Sequence, residues 1–130
     1  MNIIDHLSVG VPAIDAGRAF YDGVMKALGC DCLAATDGFA AYGKDAVQFL
    51  IMLPNDGGAS SAGNGTHICF AAPDRAAVDA FHAAALKAGG RDEGAPGPRP
   101  AYPLPDVYTG FVRDPFGNKL EAIHGGFSAS

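Results

Sequence analysis

Three side chains carry most of the chemistry open to this sequence: His6, His67 and Glu121. Each sits in a short apolar run, within Asp5-His6-Leu7-Ser8-Val9, Thr66-His67-Ile68-Cys69-Phe70 and Lys119-Leu120-Glu121-Ala122-Ile123. Uncharged imidazole is the commonest protein ligand of transition metals. A carboxylate balances the ion's charge, and two histidines with one carboxylate leave positions open for substrate or water. An ion would also satisfy polar nitrogens placed among Leu7, Val9, Ile68 and Phe70, whose burial without a partner is costly. A lone histidine in an apolar strand is more often a core residue. Repetition is what favours the metal here.

His67 follows His6 by 61 residues, and at that offset Pro12 meets Pro73, Phe20 meets Phe81, Lys26 meets Lys87 and Gly29 meets Gly90. An ungapped register of this kind marks an internal duplication. The expected unit is βαβββ, once over about residues 1–54 and again over about 66–125, with a Gly/Ser/Asn-rich linker at 55–65. In the first copy, residues 3–11 alternate as a strand. Asp15 is positioned to cap a helix running to Leu28, with Ala16, Phe20, Val24 and Leu28 as its inner stripe and Gly29 as its stop. Strands follow at 30–36, 39–42 and 47–53. In the second copy a strand at 67–72 precedes a helix at 74–88. A proline-rich loop, Gly94 to Pro105, replaces the second strand or follows a very short one. Strands at 108–112 and 119–124 then close a hairpin around Asp114-Pro115-Phe116-Gly117-Asn118. The fold class is α+β: one domain with a curved mixed sheet around a cavity and helices outside.

The chain has 130 residues, 48% apolar and 18% charged, with a formal charge of −5. That is enough for one self-supporting core. An acidic chain without a Lys/Arg run argues against nucleic acid or an anionic membrane as partner. No apolar run approaches the ~20 residues that span a bilayer. The N-terminal stretch lacks the basic and apolar regions of a signal peptide. Cys30, Cys32 and Cys69 are odd in number, which suggests reduced thiols and a cytoplasmic location. Cys30-Asp31-Cys32 alone is a weak metal signature. Phosphate-loop, dinucleotide-loop and nucleophile-elbow motifs are absent from the sequence.

Arg99, Tyr102 and Tyr108 lie on or beside the proline-rich loop and are expected to contact a small-molecule substrate. Tyr108 could donate a hydrogen bond or a proton. His82 is expected on the exposed side of its helix. His124, three residues past Glu121, falls on the opposite face of its strand.

The layout resembles the vicinal oxygen chelate superfamily, which groups glyoxalase I, bleomycin- and fosfomycin-resistance proteins and extradiol dioxygenases. His6 matches its first-strand ligand, His67 its fifth-strand ligand and Glu121 its last-strand ligand. Asp114-Pro115-Phe116-Gly117-Asn118-Lys119-Leu120-Glu121 is similar to its D-P-x-G-x-x-x-E ending. The resemblance implies a divalent metal (iron, zinc, nickel or manganese) chelating adjacent oxygens of a substrate. Glu121 would then be both ligand and proton carrier in a lyase, isomerase or dioxygenase. A non-catalytic drug- or metabolite-binding protein is the alternative, and a homodimer is implied in either case. The glyoxalase I pattern also has a fourth ligand on the fourth strand, where either Gln48 or Phe49 is expected opposite Glu121. Arg18, Arg99 and Arg113 form no evident cluster for glutathione's carboxylates, which weakens the match to glyoxalase I itself.

Overall fold

The structure, a computed structural model, describes residues 3–128. The first module contains β1 (Leu7–Gly10), α1 (Ile14–Ala27), β2 (Asp31–Ala35), β3 (Phe39–Gly43) and β4 (Val47–Met52). The second contains β5 (Ile68–Ala71), α2 (Arg75–Lys87), β6 (Arg91–Pro98), β7 (Tyr108–Arg113) and β8 (Lys119–His124). Each module forms its own four-stranded mixed sheet, ordered β1-β4-β3-β2 and β5-β8-β7-β6. In both, the first strand runs parallel to the last and the remaining pairs are antiparallel. The single curved sheet expected from the sequence is therefore two sheets. β1 and β5 are outer edges with no ladder between them.

α1 buries Ile14, Gly17, Phe20, Tyr21, Val24 and Met25, while Ala16, expected inside, is exposed. The buried face is two adjacent rows rather than one stripe, as a helix wedged between a sheet and a second helix requires. Gly17 permits the approach: a Cβ there would lie 2.6 Å from Ile51 Cδ1 on β4. Asp15 lies in the first turn and complements the helix dipole, and the N-cap residue, Ala13, makes no side-chain capping bond. α2 is capped, with Asp74 accepting from the Ala77 N–H. α2 is also one residue shorter than α1. Gly89, with φ +96°, is therefore the counterpart of Gly29 at φ +82°, instead of Gly90.

Two further expectations change. His82 is buried, its Nε2 2.8 Å from Asp92 Oδ1 on β6, so a polar residue beside Phe81 is accommodated by pairing. The proline-rich segment is partly strand. β6 runs through Pro96 to Pro98 with two breaks in its register against β7. It can do so because it is a sheet edge, where a missing N–H leaves no ladder position empty.

The two helices pack on each other, and the inward faces of both sheets join them in one core. Phe49 and Phe70 meet edge to face at 5.1 Å across the module boundary. A polar network ties the modules together. The Tyr21 hydroxyl on α1 donates to Asp114 Oδ2 at 2.5 Å, and Asp114 also accepts from the Phe116 and Asn118 N–H groups. The Asn118 amide donates to Asp114 and to the Gly10 carbonyl at the end of β1. Among the described residues no helix is long and apolar enough to cross a membrane.

Candidate functional site

Strand alternation divides each sheet into a face toward the helices and a face away from them. On β8, Leu120 and Ala122 enter the core, so Glu121 and Ile123 face away. Pairing puts Phe111 opposite Glu121 and Thr109 opposite Ile123, with Cys69 beside Glu121 on β5. His67, two residues before Cys69, shares that face. Its Nε2 lies 3.1 Å from Glu121 Oε1.

Glu121 is only 3% exposed although it is an acid on an interior strand. Its second oxygen, Oε2, accepts from the Tyr102 hydroxyl at 2.8 Å and lies 2.6 Å from Thr109 Oγ1. Thr109 Oγ1 is also 2.7 Å from the Ala122 carbonyl. One hydroxyl proton cannot serve both acceptors at once. With Glu121 ionised, Thr109 donates to the carboxylate. With Glu121 protonated, the acid donates to Thr109, which turns its own proton to Ala122. The carboxyl is hydrogen-bonded in either state.

A cavity of about 240 Å³ opens over this group, lined by His67, Cys69, Tyr102, Glu121, Ile123 and Phe127. Tyr102 comes from the loop after β6 and stacks edge-on against Phe127 at 5.3 Å. Burial, followed by the hydrogen bond to Glu121, pushes the Tyr102 phenol up to about 12. Loss of water around the thiol, and then the charge of Glu121, push the Cys69 pKa up as well. Both groups are protonated at neutral pH and surround an acceptor.

The expected site residues separate into those gathered here and those that are not. His67, Glu121 and Tyr102 converge. His6 is more than half exposed, and its Nδ1 pairs with Asp5 Oδ1 at 2.6 Å rather than meeting His67 or Glu121. Among the described residues no three His, Cys, Asp or Glu side chains gather closely enough to hold an ion. Tyr108 pairs with His124, on the helix-facing side of the sheet, and donates to Asp79 of α2 at 2.5 Å. One residue of register separates it from Thr109, and that single step turns it away from Glu121. Arg99 is held by the carbonyls of Ala95, Gly97 and Pro98 and lies over the Phe111 ring.

Neither Gln48 nor Phe49 occupies the position equivalent to Glu121. Leu7 pairs with Phe49 as Ile68 pairs with Leu120, so the match for Glu121 is Leu50, opposite Ser8 as Glu121 is opposite Cys69. Phe49 enters the core. Gln48 corresponds to Lys119 and reaches a cleft between the modules. Sequence reasoning missed Thr109 and Cys69, though alternation carried the signal: one lies two residues after His67, and the other is diagonal to Glu121 across the hairpin. Nothing local marked Tyr21 as the partner of Asp114.

The family model described as Glyoxalase/Bleomycin resistance protein/Dioxygenase superfamily matches residues 3–122. Among solved structures, the chain is similar to a glyoxalase/bleomycin resistance protein from Albidiferax ferrireducens T118. The identity is 34%, the TM-score 0.86, and the match covers 96% of this chain and 100% of the other. The fold is shared with a lactoylglutathione lyase from Agrobacterium tumefaciens at 22% identity, with a TM-score of 0.65 and 98% of both chains covered. It is also shared with a glyoxalase-related enzyme from Fulvimarina pelagi at 16% identity, with a TM-score of 0.71 and 96% and 89% covered. The comparison with curated proteins produced no match. With the family model spanning both repeats, and the Albidiferax protein alike along its whole length, the chain belongs to the Glyoxalase/Bleomycin resistance protein/Dioxygenase superfamily.

Proposed function

We propose that the chain binds a small molecule with two adjacent oxygens over Glu121 and acts on it as a metal-dependent lyase, isomerase or dioxygenase. The observation that carries this reading is the contact between buried Glu121 and His67 at the base of an open cavity. In donor chemistry the pair fits a divalent ion, an imidazole nitrogen and a carboxylate oxygen facing the same space. His67 and Glu121 would hold the ion. His6, immediately before β1 as His67 is immediately before β5, is the third donor under this proposal, supplied by the same chain or by the other copy of a homodimer. The ion would be iron, zinc, nickel or manganese and would supply Lewis-acid polarisation of the substrate's oxygens.

The chain's own groups account for proton handling. Glu121 takes or gives a proton while Thr109 reorients, so neither state leaves a buried oxygen unpaired. Tyr102, protonated through the neutral range, donates its one proton to Glu121 Oε2 and would turn it to a substrate oxygen only by giving up that bond. Phe127 and Ile123 supply the apolar part of the cavity lining. A second reading, binding without turnover, is favoured by one observation: both Glu121 oxygens already have protein partners.

The test is metal analysis of protein purified without chelator, followed by turnover assays on thiol adducts of 2-oxoaldehydes and on catechols. The expected outcome is near one equivalent of a transition metal in the wild type. His67→Ala should fall below a tenth of that with its circular dichroism unchanged. Unaltered metal content in His67→Ala would overturn the assignment. Tight stoichiometric binding with no turnover would select the second reading.

A further inference from the structure

The cavity over Glu121 does not end at Glu121. Cys69, its neighbour in register, lines that cavity and also a second one of about 280 Å³ between the modules. Together they reach the ~300–1,000 Å³ typical of small-molecule sites. The second cavity exists because β1 and β5 are unpaired edges held apart at the module boundary. Leu7 and Phe49 wall it on one side and Ile68 and Phe70 on the other, with Met25 and Leu28 of α1 behind them. At the opposite end of the same boundary the equivalent gap is smaller, about 130 Å³, where linker residues Ser61 and Ala62 lie beside β1 and β5. The larger gap is mainly apolar, with Asp5 and Gln48 also on its lining, and Cys69 on the edge strand β5 borders both this gap and the polar site.

We propose that the ligand is a two-part molecule, with an oxygen-bearing head at Glu121 and an apolar tail that passes Cys69 into the cleft between the modules. The head rests on the function proposed above; the tail rests on the cleft alone. Two protonated donors and an acid at one end, against a wall to which Leu7, Phe49, Ile68, Phe70, Met25 and Leu28 contribute most at the other, select for this amphipathic class. Each methylene leaving water contributes about a fourfold gain in affinity. Leu7 is 40% exposed on the rim of an edge strand, so it can be enlarged with little strain on the core.

The experiment titrates the full chain with 2-oxobutanoate, 2-oxohexanoate and 2-oxooctanoate by calorimetry. In the wild type, affinity should rise at least tenfold from the shortest to the longest, a result that needs no variant. Leu7→Trp should flatten that gradient while 2-oxobutanoate binds within about twofold of the wild type. A flat wild-type series with 2-oxobutanoate still bound would overturn the tail and leave the head intact. A gradient untouched by Leu7→Trp would overturn the cleft as its seat, and so would a loss of self-association in Leu7→Trp, which would assign the cleft to a second copy. No binding by any of the three acids overturns the proposal. A gradient lost in Leu7→Trp, together with 2-oxobutanoate binding indifferent to Glu121→Gln, supports the cleft and rejects the function proposed for Glu121.

Discussion

The two modules share one backbone plan and differ at nearly every position that could do chemistry. Glu121 on β8 corresponds to Leu50 on β4, and Thr109 on β7 to Phe39 on β3. His67 touches the acid of its own module, whereas His6 pairs with Asp5 in solvent. Between its second and third strands the first module has only residues 36–38, a turn in which Thr36 accepts from the Gly38 and Phe39 N–H groups. The second has residues 99–107, which carry Tyr102 over the site. The difference teaches that duplication supplied a scaffold twice, while polar machinery was built on one copy. The other copy kept an apolar outer face.

The largest effect should come from breaking the tie that lets the modules differ and still pack as one. Asp114 is buried and accepts four hydrogen bonds, one of them from Tyr21 of the first module. Asp114→Ala leaves those donors unserved and should destabilise the chain by about 3 kcal/mol or more. Among the described residues the matching turn at 44–46 makes no such network, so Lys44→Ala should stay within about 0.5 kcal/mol. Denaturant unfolding of the two variants checks the contrast. Equal losses would show that the turns are equivalent after all.

A smaller effect should separate Thr109 from its counterpart. Thr109→Val keeps the shape but removes the one hydroxyl donor that serves Glu121 Oε2 when the acid is ionised and the Ala122 carbonyl when it is protonated. About 1–2 kcal/mol of stability should be lost. Phe39→Val, on the half-buried outer face of the first module, removes no hydrogen bond from a side chain and should cost less. If the order reverses, the polar half of the molecule is not held together by this hydroxyl.

Much of this asymmetry was legible in the residues. The repeat located both histidines, both helices and the closing hairpins, because an ungapped offset and a period-two pattern survive in sequence. Glu121 was legible as buried because it interrupts an apolar strand. The failures have a common physical origin in tertiary register. Whether Gln48, Phe49 or Leu50 faces Glu121's counterpart position depends on strand pairing across the sheet, and a shift of one residue reverses the face. Tyr108 was misplaced by the same single step. β6 was read as loop because its prolines are tolerable only on an edge, and edge status is a property of the sheet. His82 and Tyr21 occupy equivalent helix positions beside Phe81 and Phe20. Their partners, Asp92 and Asp114, lie on other elements that no local pattern connects to them.

The finest test concerns Tyr102, the one site group on a loop that the first module lacks altogether. Its folded pKa is raised to about 12 from an ordinary value of 10.0, first by burial and then by the bond to Glu121. Folding therefore favours the neutral phenol. The stability it contributes is fully present below about pH 10, the unfolded value, and is lost as pH rises through about 12. Tyr102→Phe should be less stable than the wild type by a constant margin at neutral to mildly alkaline pH, and the margin should shrink between those two values. Difference absorbance between the two proteins isolates the Tyr102 phenolate step from Tyr21, Tyr42 and Tyr108. In a Glu121→Gln background that step should move only part of the way back toward 10, because burial, the larger cause, is unchanged. A step that does not move at all would mean the loop is held over the second module by packing against Phe127 alone. The polar centre would then consist of the sheet's own residues and owe nothing to the insertion.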